Sequence, residues 1–129
     1  MPTQEIYRGR KFSVSGWVEN GKLLLREFLD ELEAKGNSDA ERLQSLIVRT
    51  ADEGPTHNQR HMRPLDDNIF EFKGTNTGRV LFFYDKGRLI ICSHGFSGKS
   101  GNEQKRIAKE IKKANRIRED YFDERRTER

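Results

Sequence analysis

Cysteine is nearly absent from this 129-residue sequence: Cys92 is the only one. No disulfide can form within the chain, and no cysteine-based metal site can close. Apolar residues are also scarce, at 33% against 36% charged, whereas globular domains usually have about 45–50% and about 25%. The longest uncharged apolar run, Val80 to Tyr84, falls far short of the ~18 residues that suggest a membrane span. Met1 to Phe12 contains Glu5, Arg8, Arg10 and Lys11 and lacks the apolar stretch of a secretory signal. A cytoplasmic location, with no membrane partner, is therefore expected. The apolar residues that are present fall in periodic clusters, which argues for a folded domain. One domain is expected over residues 1–122, followed by a charged, frayed tail at 123–129 with no apolar residue.

Charge is unevenly distributed. Residues 1–15 carry +2, 16–56 carry −4, 57–101 carry +3 and 102–129 carry +3, for a total of +4. An acidic front and a basic back point to a polyanion partner for the basic part.

Periodicity outlines the fold. Phe12 and Val14 alternate with polar neighbours, suggesting a short strand at Lys11–Ser15. Leu25, Phe28, Leu29 and Leu32 recur at helical spacing, and Gly36 is placed to end that helix in a left-handed cap. Ser38 and Glu41 have capping-box spacing ahead of a second stripe, Ala40, Leu43, Ile47 and Ala51, with Leu46 beside it. Gly54-Pro55 stops this helix. The short connection predicts an antiparallel helical hairpin. Residues 55–68 have no period and read as loop. Phe70–Lys73, Arg79–Tyr84 and Leu89–Ser93 read as strands joined by tight connections. Ile107, Ile111, Ala114, Ile117 and Tyr121 mark a last helix over about 102–122. The order is β-α-α-β-β-β-α, an α+β domain. Its N-terminal strand and helical hairpin would pack on an antiparallel meander of three to four strands.

Most familiar chemistries fail on spacing. His57 and His61 lie four apart but in a proline-flanked loop without acidic company, so a metal site is not expected. Gly98-Lys99-Ser100 resembles the end of a nucleotide-binding P-loop, but Ser93 occupies the position of its first glycine, leaving at most a general anion site. Ser93 and His94, adjacent on a strand, should point to opposite faces.

What remains is basic. Lys73, Arg79, His94 and Lys99 lie at or just beyond strand ends, Arg60 and Arg63 precede the sheet, and Lys105 and Arg106 open the last helix. Converging at one end of a meander, they suit metal-independent RNA cleavage: the ribose 2′-OH attacks the neighbouring phosphate while cations stabilise the charge that develops. They suit non-catalytic phosphate binding equally well.

Several motifs point to one family. Met62-Arg63-Pro64-Leu65, Ile69-Phe70-Glu71-Phe72-Lys73, Gly78-Arg79-Val80-Leu81-Phe82-Phe83-Tyr84 and His94-Gly95-Phe96 with Lys99 in the next turn follow the order and spacing of the RelE/ParE toxin superfamily. The sequence most resembles the HigB-like, phage-related branch, over about Trp17 to Tyr121. The resemblance implies a RelE-like fold and a toxin of a type II toxin–antitoxin pair that inhibits translation by ribosome-dependent, metal-independent endonuclease action on mRNA. It implies no cofactor, and as partner a small antitoxin, generally a helix-turn-helix protein. Carried over by position, Arg79 and Lys99 would stabilise the phosphate, Lys73 or His94 would transfer a proton, and Arg60, Arg63, Lys105 and Arg106 would hold RNA. The loop Ser97-Gly98-Lys99 has one lysine where relatives often have two, and Tyr121 lies too far along to match a tyrosine that some RNA-cleaving relatives carry. ParE relatives inhibit DNA gyrase instead. A non-catalytic module similar to double-stranded RNA-binding domains is a third reading.

Overall fold

The computed structural model describes residues 2–98 and 103–127. In chain order the elements are β1 (Thr3–Arg8), β2 (Ser13–Glu19), β3 (Lys22–Leu23), α1 (Leu24–Ala34), α2 (Asp39–Glu53), β4 (Met62–Pro64), β5 (Phe70–Lys73), β6 (Gly78–Asp85), β7 (Leu89–Ser97) and α3 (Glu103–Thr127). The domain is α+β, with one open sheet ordered β1-β2-β7-β6-β5-β4 and β3 paired to β2.

The sheet is mixed, which corrects the expected all-antiparallel meander. β4 to β7 do form a meander, but β2 runs parallel to β7, pairing Ser13 with Leu89 and Gly16 with Cys92. The chain leaves β2 and returns to β7 only after both helices and the meander, so tertiary packing sets this pairing. β1 was not expected, and β2 sits later than the predicted strand. A register irregularity between Glu5 and Tyr7 places Ile6 and Tyr7 side by side, hiding the period-2 signal of β1. β4 also falls in the stretch read as loop.

The helices cover the two faces separately. Leu25, Phe28, Leu29 and Leu32 of α1, with Leu43, Leu46, Ile47 and Ala51 of α2, pack against Val14, Phe72, Val80, Phe82 and Ile90. Ala114, Ile117 and Tyr121 of α3 pack on the opposite face against Trp17, Ile69, Leu81, Phe83 and Ile91. The apolar run in β6 therefore serves both cores, with successive side chains entering alternate sides.

Gly36 ends α1 as expected. It has a φ of 67°, and its N–H and that of Asn37 donate to the carbonyls of Glu33 and Leu32, at 3.0 and 2.9 Å, closing a Schellman motif. The capping box of α2 does not form. Ser38 is helical at φ −65° and makes no side-chain cap bond. Asn37 Oδ1 instead accepts from the Asp39 N–H at 2.9 Å. α3 continues past Phe122 to Thr127, and Arg125 and Tyr121 both bond Asp85 at the β6–β7 turn. No helix among the described residues is long and apolar enough to cross a membrane.

Candidate functional site

One end of β5 and β6 meets the start of α2, and a buried carboxylate shapes that corner. Asp39 is fully buried, and its oxygens accept the Asn76 N–H at 3.0 Å and the Gly78 N–H at 2.8 Å. These bonds satisfy backbone donors of the β5–β6 turn that would otherwise be stranded. A Cβ at Gly74 would lie 2.5 Å from the Asp39 carboxyl carbon, so the turn closes around Asp39 only because residue 74 is a glycine.

Beside this turn, β4 pairs with β5. The Lys73 N–H donates to the His61 carbonyl at 2.8 Å, which sets His61 at the rim opposite α2. Arg42, one turn into α2, reaches across to it, with Nη2 2.5 Å from His61 Nδ1. The same Nη2 lies 3.3 Å from Nε2; a guanidinium can only donate, so the ring meets it with an unprotonated nitrogen. Partial burial, followed by the charges of Arg42, Arg49 and Arg60, holds the imidazole below its ordinary pKa of 6.5.

These residues enclose an open pocket of about 410 Å³ lined by Arg42, Arg60, His61, Lys73, Gly74, Thr75, Asn76 and Arg79. Four of these residues, Arg42, Arg60, Lys73 and Arg79, bring cationic side chains to the pocket, which suits it to a phosphate backbone. Among the described residues, no group of three or more His, Cys, Asp or Glu side chains is placed to hold a metal ion.

Arg79 also has a second environment. The Glu71 side chain is wholly buried, and its Oε1 accepts from Arg63 Nε at 2.5 Å and Arg79 Nη1 at 3.0 Å. Glu71, on β5, thus ties together two guanidinium groups from the strands on either side of it, β4 and β6.

The structure therefore brings together Arg60, Lys73 and Arg79 of the expected residues. Arg63 joins them through Glu71 without lining the pocket. Lys105 and Arg106 are exposed on α3, where Arg106 bonds Glu110 at 3.1 Å. Lys99 lies outside the described residues. His94 stands apart, buried beneath α3. Its Nε2 meets Glu110 Oε1 at 3.0 Å and its Nδ1 meets Ser93 Oγ at 3.0 Å. The expectation that Ser93 and His94 point to opposite faces is thereby corrected: Leu81 pairs with His94 and Phe82 with Cys92, leaving Ser93 in a bulge that turns its hydroxyl toward the ring.

Residues 27–119 match the family model described as "Phage derived protein Gp49-like (DUF891)". The chain belongs to this family. The match runs from α1 into α3 and contains every described residue lining the pocket. Gp49-like proteins are grouped with the RelE-type toxins of type II toxin–antitoxin systems and typically pair with an antitoxin. No curated protein matches the sequence.

Arg42 and His61 were not singled out as site residues from the sequence of this Gp49-like chain. Arg42 sits in the most acidic segment, where net charge conceals it, and His61 had been weighed only as a metal ligand. Its place two residues before Arg63-Pro64, at the entry to an edge strand, is the one local signal.

Proposed function

We propose that this Gp49-like protein is the toxin of a type II toxin–antitoxin pair, with a RelE-like domain of the HigB-like branch that cuts mRNA on the ribosome. The observation that carries this reading is the pocket of Arg42, Arg60, His61, Lys73 and Arg79. Cleavage by the ribose 2′-OH places extra negative charge on phosphorus oxygens in the transition state. Fixed cations that need no reorganisation stabilise it. Arg79, held by Glu71, is such a group, Lys73 beside it brings a second cation to the pocket, and Lys99 would add a further charge. The donors are cations of the chain itself, so the proposed reaction is metal-independent. Arg63, Lys105 and Arg106 would extend the positive surface along the RNA. The antitoxin would be a small helix-turn-helix protein acting in the cytoplasm.

Primer extension on a reporter mRNA after induced expression tests this. Translation-dependent cleavage that is lost on Lys73→Ala with Arg60→Ala is expected. Inhibition of gyrase supercoiling with intact mRNA would replace the reading by gyrase poisoning. Tight, salt-sensitive binding to duplex RNA without growth arrest would replace it by a binding module.

A further inference from the structure

His61 is the one uncharged titratable group among the described residues lining the cationic pocket, and Arg42 Nη2 stands against both of its ring nitrogens, 2.5 Å from Nδ1 and 3.3 Å from Nε2. We propose that His61 is the proton acceptor of the pocket and that Arg42 gates it, covering its ring nitrogens until a substrate phosphate draws the guanidinium away. This rests on the cleavage reading above and assigns a residue within it.

Geometry supports both halves. His61 is pinned through its backbone, its carbonyl accepting from Lys73 at 2.8 Å and its N–H donating to Asn58 at 2.9 Å. The ring therefore has a defined place at the rim. Arg42 stands on α2 just beyond the Asp39 anchor, and its side chain is long enough to turn toward an incoming phosphate. A guanidinium prefers the two non-bridging oxygens of an anionic phosphodiester, which accept two parallel N–H bonds, to one imidazole nitrogen. Release of Arg42 thus exposes a lone pair at the moment phosphate is bound.

The step balances. The unprotonated ring nitrogen takes the proton from O2′ as the O2′–phosphorus bond forms and the phosphorus–O5′ bond breaks. O5′ leaves with a proton from the Lys73 ammonium. The product carries a 2′,3′-cyclic phosphate, and water then removes the proton from His61 and reprotonates Lys73. The groups around the ring are Arg42 and Arg49 from α2, Arg60 beside it, Lys73 from β5 and Arg79 from β6. Burial first, and then the charges of Arg42, Arg49 and Arg60, disfavour imidazolium, so the accepting form persists to lower pH than for an ordinary histidine.

The test is single-turnover cleavage of a defined mRNA on purified ribosomes between pH 5 and pH 9. Wild type should leave a 2′,3′-cyclic end, fail on RNA with a 2′-deoxy residue at the cut, and show an acid limb below the ordinary imidazole range. His61→Ala should lose roughly 100-fold or more in rate. His61→Gln, which can still accept from Arg42 but takes no proton, should lose as much with an unchanged melting temperature. Arg42→Gln should move the acid limb to higher pH. If wild type cuts and His61→Gln cuts within about threefold of it, His61 merely seats Arg42 and the assignment is overturned while cleavage stands. If wild type cuts no ribosome-bound mRNA, the cleavage reading itself fails and takes the assignment with it.

Discussion

Replacing Arg79 by Ala should weaken the fold before it says anything about chemistry. The Glu71 carboxylate is 0% exposed, and Arg79, at 12%, supplies one of the two guanidinium donors to Oε1. Its other oxygen, Oε2, is buried and has no hydrogen-bond partner. Glu71 is thus already short of donors. Removing one partner of a buried pair costs about 3–5 kcal/mol, because the remaining charge stays buried. Arg63 remains bonded at 2.5 Å but is 35% exposed, so it offsets part of the loss, and about 3 kcal/mol is expected. Urea slopes for small domains are roughly 1–3 kcal/mol/M, so the midpoint should fall by about 1.5 M at an unchanged slope. A paired replacement, Glu71→Leu with Arg79→Met, removes the carboxylate together with its partner, and should return to within about 1 kcal/mol of wild type, as hydrophobic replacements of buried ion pairs often do. Equilibrium urea unfolding followed by far-UV circular dichroism measures both. A loss below about 0.5 kcal/mol for Arg79→Ala would refute the reasoning: the Glu71 carboxylate would then be solvated rather than held by two cations. The consequence is practical. Loss of toxicity in Arg79→Ala is not a sign of catalysis unless the variant is shown to be folded at the assay temperature.

Other outcomes follow from the same structure. Asp39→Ala strands two backbone donors and should cost about 2–3 kcal/mol; amide exchange should lose protection at Asn76 and Gly78, and unchanged protection there would show that the turn holds itself. Gly95→Ala would drive a methyl to 2.0 Å from the Phe28 ring and should cost about 1–3 kcal/mol through overpacking, read as a lowered melting temperature. Cys92 is buried and its thiol is pushed up to about 12, so it should resist alkylation in the native protein and react only at the rate of unfolding. The hydrogen bond from His94 holds the Glu110 carboxyl below its ordinary 4.5. Its contribution is therefore full above that value and is lost as pH falls through the lower folded value; acid unfolding of Glu110→Gln should be correspondingly less steep.

Local periodicity made much of the architecture legible. The stripes of α1 and α2 lie within single turns of each other, and the run in β6 announces burial on both faces without reference to any other element. The Schellman end at Gly36 is equally local. The candidate site was only partly legible. Lys73, Arg79 and Arg60 stood out as basic residues near strand ends. Glu71, by contrast, alternates with Phe70 and Phe72 as a solvent-facing residue would, and only the two arginines facing it account for its burial.

The sequence by itself determined which segments form the helical hairpin and the central strands, and that positive charge gathers in the second half of the chain. Those properties depend on residues a few positions apart. Tertiary structure alone decided that β2 runs parallel beside β7, that Ser93 bulges toward His94, and that Arg42 crosses from an acidic helix to meet His61. Each of these joins groups through packing against a shared core, and no spacing along the chain encodes such a contact.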